Sequence, residues 1–290
     1  MENCTEKNLK LNILTENDIQ GLMDLSQLVG WDYHRDDIRT IMSSGKILGH
    51  KNEFGQIVSS AAIIPYDTHL ASIGMVIVND QYRGKGLGKE VTQACINLVR
   101  QKNTSITLIA TQQGKPLYEK MGFKEVGYIH KFICNNYVPC NTLLFEELKV
   151  EALKESDLDK VMELDKYAFG DSRRKFLVNR IKQSHQALVL RDEFGRILGY
   201  GLSISGPKNL ILGPIVAPNS EAAIYLVDKL ALNHKGNLRI DIPKDDKMFM
   251  NFLRDRGFEK VNQPPIMIIN SDAMPIRNDN LYGIAAQAFG

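Results

Sequence analysis

Ile73-Gly-Met-Val-Ile-Val78, Asn79-Asp-Gln-Tyr82 and Arg83-Gly-Lys-Gly-Leu-Gly-Lys89 run without interruption into an apolar-periodic segment, and this stretch decides how the chain folds. A strand-length apolar run comes first and a glycine-rich turn follows. Val91, Ala94, Cys95, Leu98 and Val99 then recur at helical spacing. The order predicts strand, turn and helix in direct succession. Such a turn exposes backbone N–H groups that have no partner inside the helix, beside the positive end of its dipole. That combination holds a phosphate or pyrophosphate, and Arg83, Lys85 and Lys89 add charge of the right sign. A P-loop is excluded because Lys89 is followed by Glu90, with no hydroxyl for magnesium. The glycines run GxGxG, which departs from the GxGxxG of dinucleotide folds and weakens a reading as a dinucleotide-binding oxidoreductase. For the glycines alone, a turn that merely lets strand and helix pack remains the alternative.

Working outward, the stretch has a counterpart. Ile73-Gly-Met-Val-Ile-Val78 is echoed by Leu212-Gly-Pro-Ile-Val-Ala217, and Leu9 to Asp18 by Leu148 to Asp157. Asn52-Glu-Phe-Gly-Gln-Ile57 returns as Asp192-Glu-Phe-Gly-Arg-Ile197, and Tyr118-Glu-Lys-Met-Gly-Phe123 as Leu253-Arg-Asp-Arg-Gly-Phe258. Matches in one order along the chain imply duplication. Each copy reads as an opening strand, an amphipathic helix, a hairpin, a buried strand, a long helix, another strand, a short helix and a strand after Gly-Phe. Thr15 and Ser156 stand where the first helix of each copy needs an N-cap. The expected fold class is α/β in the layered sense: two tandem domains, each a mixed, largely antiparallel twisted sheet flanked by helices. The boundary is expected within Asn136 to Phe145, dividing residues 1–140 from 141–290.

Composition narrows the surroundings. The chain has 290 residues, 36 basic against 34 acidic, so no strong pull toward nucleic acid or an anionic membrane is visible. The longest apolar runs are strand-sized, and Met1 to Lys10 is too polar for a signal peptide. Cys4, Cys95, Cys134 and Cys140 form neither a disulfide framework nor a CxxC metal spacing, and no metal is expected. These features point to a reduced, cytoplasmic protein.

Arg83-Gly-Lys-Gly-Leu-Gly88 fits an Arg-x-x-Gly-x-Gly signature, and Pro116-Leu-Tyr-Glu-Lys-Met-Gly-Phe123 follows about 35 residues later. Together they resemble the GNAT superfamily of N-acetyltransferases, over roughly Leu9 to Ile133. With the degenerate repeat behind them, the resemblance is to a subgroup with an N-terminal GNAT domain and a C-terminal GNAT-like domain. It implies acetyl-CoA as cosubstrate, its pyrophosphate on the amides of Gly84, Lys85, Gly86, Leu87, Gly88 and Lys89, beside Arg83. It also implies that the pantetheine arm pairs like a strand with Val76, Ile77 and Val78, and that Tyr118 returns a proton to the leaving thiolate. A core aromatic is the alternative for Tyr118. The acceptor implied is the amine of a small molecule; an acyl-CoA-binding regulator without turnover is the alternative.

The base that neutralises the amine is not legible. No glutamate stands in Ala61 to Ile77, which leaves Asp67, His69 and Ser72 as nearby candidates; Thr111 stands where the family often has Asn. Trp31, the single tryptophan, is either an acceptor wall or core packing. Asp171, Arg173 and Arg174 form a polar cluster that either reaches an acceptor or is a solvated helix start.

The second copy is shorter where the loop belongs: Gly74 to Ile106 spans 32 positions, Gly213 to Leu238 only 25. Glu221 near its helix start repels a pyrophosphate, and Leu253 replaces Tyr118. This copy is expected to scaffold a pseudo-dimer or to wall the acceptor pocket, in a monomer or a homodimer. Its apolar tail, Leu281 to Phe289, is expected to dock on the second domain.

Overall fold

The computed structural model describes residues 9–31, 33–99, 104–140 and 147–289. The first copy begins with β1 (Leu11–Leu14), α1 (Ile19–Leu28), α2 (Arg35–Ser44), β2 (Lys46–Lys51), β3 (Ile57–Pro65) and β4 (Leu70–Val78). It continues with α3 (Leu87–Val99), β5 (Ser105–Ile109), α4 (Lys115–Lys120), β6 (Lys124–Tyr128) and β7 (His130–Cys134). The second repeats this order: β8 (Leu148–Ala152), α5 (Leu158–Phe169), α6 (Arg174–Gln183), β9 (Gln186–Asp192), β10 (Ile197–Ser205) and β11 (Leu210–Val216). Then come α7 (Ser220–Ala231), β12 (Leu238–Ile242), α8 (Lys247–Asp255), β13 (Phe258–Asn262), β14 (Pro265–Ile269) and a short β15 (Leu281–Gly283).

The repeats fold alike for local reasons. The side chains of Asn52 and Asp192 accept the N–H groups two and four residues on, and Gly55 and Gly195 take φ of 77° and 79° to close the same hairpin turn. Thr15 does take a cap position, over the 3-10 turn Glu16–Asp18, where its N–H is held by Asp18. Ser156 does not: it lies inside the corresponding turn, and the cap position is Lys154, whose N–H donates to Asp157. On α3 the buried stripe is Leu87, Val91, Cys95, Ile96 and Val99, whereas Leu98 is exposed.

Both sheets are mixed and mostly antiparallel, as the duplication suggested. One has the order β1-β2-β3-β4-β5-β14-β6, the other β13-β7-β12-β11-β10-β9-β8, with β15 beside β11. β4–β5 and β11–β12 are the parallel pairs. A division at residue 140 separates the helices but not the sheets. β7 lies between β12 and β13 of the second sheet, and β14 between β5 and β6 of the first. Each exchanged strand delivers core side chains across the boundary: Met267 to the first copy, Phe132 and Cys134 to the second. A third cluster is shared, because α1 and α2 pack toward α5 and α6 with Leu22, Ile38, Phe169, Phe176 and Tyr200 in common. No helix among the described residues is long and apolar enough to cross a membrane.

Candidate active site

The site originates in an irregularity of β4. Ser60 opposes Ile77 while Ala62 opposes Gly74, so Met75 and Val76 share the single partner position of Ala61. Met75 takes φ of 50° to accommodate this bulge, and the buried Ser60 hydroxyl donates to the Met75 carbonyl at 2.8 Å. On the other side, the pairing of β4 with β5 stops at Ile73 opposite Leu108. Beyond that point the strands splay, and among the described residues the β5-facing edge of Gly74 to Val78 has no strand partner. A cleft of about 630 Å³ opens along this edge.

At one end the cleft meets the glycine loop. Gly84 and Gly86 take φ of 78° and 80°, and a Cβ on either would point into open space. Leu87 is buried and anchors α3, whose first N–H groups face away from the helix interior. Arg83, Gly84 and Gly88 line the cleft, whereas Lys85, Gly86 and Lys89 stand outside its lining and exposed. Arg83 is held by Asp80 at 2.6 Å, and Lys85 lies over the Tyr82 ring. Val76, Ile77 and Val78 line the middle.

Tyr118 stands across from them. It sits on α4, packs edge-on against Phe123 at 5.8 Å and touches both the core and the cleft. Burial pushes its phenol well above the usual 10, so the proton stays on through the physiological range. Gly114 caps α4 and admits the ring: a Cβ there would meet Tyr118 at 3.0 Å. Thr111, at the position of the missing asparagine, accepts the Gly114 N–H and lines the cleft.

The far end is built by both copies. Trp31 and Tyr33 come from the segment after α1, and Asp37 from α2. Lys131 on β7, Arg239 on β12 and the tail Ala286–Phe289 come from the second sheet and its extension. Asp37 accepts from the buried Arg180 of α6 at 2.6 Å. The tail does dock on the second copy, where β15 pairs with β11, but it then crosses to the first. Tyr66 donates to the Phe289 carbonyl, and a Cβ on Gly74 would fall 2.7 Å from Ala288, so only glycine admits this approach.

Several sequence candidates stand elsewhere. Asp67 accepts from the Ser172 hydroxyl, and His69 leans on Asp171, both at the junction of the two copies. Asp171 accepts from the N–H groups of His69 and Leu70 and from the Thr68 hydroxyl, which fixes the β3–β4 turn. Ser72 is buried against Tyr66 and Thr107. Arg173 forms a buried pair with Asp165 and Arg174 an exposed one with Asp159. None of these lines the cleft. Asp37, Lys131, Arg239 and Gln287 do, and nothing in their local sequence marks them.

The second copy closes its own slot. β11 and β12 pair only at Leu210 and Ile211, then splay as in the first copy. Here β15 fills the opened edge, with Gly283 opposite Ile215 and Leu281 opposite Val216, the counterparts of Val76 and Ile77. Asn219 caps α7 with its own side chain, and Leu253 is fully buried where Tyr118 stands in the first copy.

Comparison with known proteins agrees with this arrangement. Residues 32–135 and residues 161–283 each match a family described as the acetyltransferase (GNAT) domain. The chain is 36% identical over 278 residues to YitH, an uncharacterized N-acetyltransferase of Bacillus subtilis, covering 96% of this chain and 97% of that one. In fold it is similar to a Pyrococcus horikoshii protein of known structure, with a TM-score of 0.80 at 23% identity over 100% of this chain and 99% of the other. It is also similar to a tandem GNAT protein from the clavulanic acid biosynthesis pathway, with a TM-score of 0.66 at 14% identity over 92% and 100%. The chain belongs to the GNAT acetyltransferase family and is an acyltransferase with two GNAT domains in tandem.

Proposed function

We propose that the chain moves an acetyl group from acetyl-CoA to the amine of a small molecule, and that only the first copy does so. The observation that carries this reading is the unpartnered edge of Gly74 to Val78, which leads from the glycine loop past Tyr118 within one cleft. The residues fit the cosubstrate. Two glycines with positive φ leave open space at the N-terminus of α3, where a pyrophosphate gains backbone N–H groups and the helix dipole. The free strand edge offers main-chain groups to an extended amide-bearing arm.

Acetyl-CoA supplies an activated thioester, so the protein's task is to position it and to manage charge and protons. Backbone N–H groups beside the Met75 bulge are placed for the carbonyl oxygen, where negative charge develops. Tyr118, protonated throughout the working range, donates toward the sulfur. Among the described residues lining the cleft, Asp37 is the one carboxylate, and Arg180 already engages it. Its Oδ1 is taken by Arg180 and its Oδ2 by the His34 N–H, and this occupancy is the observation that favours the non-catalytic acyl-CoA-binding reading.

Release of free thiol from acetyl-CoA across an amine panel, with calorimetry of acetyl-CoA binding, tests the proposal. The expected result is one acetyl-CoA per chain and amine-dependent thiol release, with binding abolished in Gly86→Glu. Tight binding without stimulation by any amine would favour the regulator, and two sites per chain would refute the closed second slot.

A further inference from the structure

The acceptor end of the cleft contains a side-chain amide whose orientation the structure fixes. Gln287, half-buried in the tail of the second copy, lines the cleft beside Arg239. Its Nε2 donates to Oδ1 of Asp241 on β12 at 3.1 Å. Asp241 is fully buried, and the Arg239 guanidinium lies 2.7 Å from its other oxygen, so the two charges compensate each other. An ion-paired carboxylate accepts hydrogen bonds and donates none, so the amide cannot be reversed. Nε2 is turned to Asp241, and the Oε1 carbonyl is turned away from it. Oε1 accepts from no group among the described residues and, unlike the Arg239 Nε, is not sealed from solvent.

Rigidity and place set this amide apart from an ordinary surface glutamine. On one side of it in the chain, the Ile284 N–H donates to the Asp241 carbonyl at 2.9 Å, and Arg180 Nη2 to the Ala285 carbonyl at 3.3 Å. On the other, Phe289 is buried against Phe176 with ring centroids 4.9 Å apart, and its carbonyl accepts from Tyr66. Ala288, the next residue, is the one that crowds Gly74, and Gly74 adjoins the Met75 bulge. The amide is therefore held close to where the acyl carbonyl is expected. The fold itself does not ask for the acid that aims it. Leu210 pairs with Leu238 as Ala71 pairs with Ile106, which makes Ile109 the counterpart of Asp241 in the first copy. An apolar side chain satisfies that strand position in one copy, whereas the other carries a buried carboxylate.

We propose that Gln287 binds the acceptor: its Oε1 takes a hydrogen bond from the incoming amine, and Asp241 is the positioning residue that aims it. This rests on the acetyl-transfer reading for the reaction, but not for binding of the amine. A primary amine attacks through its lone pair and carries two N–H groups. Committing one of them to Oε1 turns the lone pair toward the acyl carbon. As the C–N bond forms, the nitrogen gains positive charge and its N–H groups become stronger donors, so the bond to Oε1 tightens in the transition state. The amide's own donation to a carboxylate polarises Oε1 further. The C–S bond then breaks, sulfur takes the Tyr118 proton, and the proton lost by the nitrogen restores the phenol through solvent. The second copy, without a cofactor slot of its own, thus supplies the contact that orders the nucleophile of the first.

The test uses the full-length protein, as wild type and as Gln287→Met, which keeps the side-chain length without the carbonyl. Butylamine and benzylamine are compared as acceptors by thiol release from acetyl-CoA. Emission from Trp31, the single tryptophan in the sequence and a cleft residue, reports binding without turnover. It is followed for both amines and for butyltrimethylammonium, which is a cation like protonated butylamine but has no N–H. In Gln287→Met, kcat is expected to fall by roughly 10- to 100-fold, the scale of a hydrogen bond to a charged donor, with acetyl-CoA affinity and the urea midpoint unchanged. In the wild type, butylamine should shift Trp31 emission at lower concentration than butyltrimethylammonium does, and the variant should lose that preference. If Gln287→Met does not fold, Gln287→Asn, which withdraws the carbonyl by a methylene, decides by the same readouts. Unchanged kcat, or a loss matched by acetyl-CoA affinity or the urea midpoint, would overturn the proposal. If no amine releases thiol, yet the preference for butylamine is present in the wild type and lost in the variant, the Gln287 contact stands and the acetyl-transfer reading falls. Absence of both thiol release and any Trp31 response refutes both.

Discussion

Tyr118 shows how one residue belongs to core and cleft at once. Its ring fills a place beside Phe123, as the core reading expects, and the same ring borders the cleft, as the proposed acid role requires. The ring can hold both positions because a phenol has an apolar body and a polar tip, and the proposed acid role draws on the tip. Tyr118→Phe keeps the body and removes the tip. The expected outcome is a fall in kcat of about 100-fold with little change in the KM for acetyl-CoA. Since burial raises the phenol's pKa above 10, the protonated form persists as pH rises, and the wild-type rate should show no alkaline loss from this group below that value. Steady-state kinetics across pH checks both. Tyr118 and the loop glycines were legible because their motifs are contiguous. Asp37, Lys131 and Arg239 were not, because three separate elements bring them together.

At the scale of elements, the turn between β3 and β4 illustrates a polar cluster with a structural duty. Asp171, from the link between α5 and α6, gathers the N–H groups of His69 and Leu70 and the Thr68 hydroxyl, and is itself fully buried. These hydrogen bonds favour the charged form and hold its carboxyl below the usual carboxylate range despite burial. They also fix the start of β4, the strand whose far end carries the bulge. Asp171→Ala leaves those donors unsatisfied at a cost of about 1–3 kcal/mol each. The expected readout is a clear drop in the urea midpoint, whereas Arg174→Ala, which removes only an exposed pair, should barely move it. The element pattern of each copy was readable from apolar periodicity. Which polar clusters face the cleft was not, since periodicity reports a buried face without saying what covers it.

For the whole molecule, the decisive feature is the exchange of β7 and β14. A fragment ending at residue 140 lacks β14, leaving β5 and β6 without the strand that joins them. It also exposes Phe132 and Cys134, which belong to the other core. Met267 and Ile268 are fully buried, and burial of such side chains contributes roughly 1.5–3 kcal/mol each. Their loss, with the ladder bonds of a central strand, consumes much of the ~5–15 kcal/mol that stabilises a typical fold. Residues 1–140 expressed alone should therefore fail to fold, and the full chain should unfold in one cooperative transition. A well-dispersed amide NMR spectrum from the fragment, or two separate calorimetric transitions, would contradict this.

The sequence by itself determined the duplicated pattern of elements, the glycine loop with its missing twin, and Tyr118, because each is written in residues a few positions apart and governed by backbone geometry. Only the tertiary structure decided that the two sheets trade strands, that β15 fills the second slot, and that Arg239 and the tail wall the first copy's cleft. Strand order and packing between copies follow from which edges and faces bury the most surface together, and that depends on residues more than a hundred positions apart.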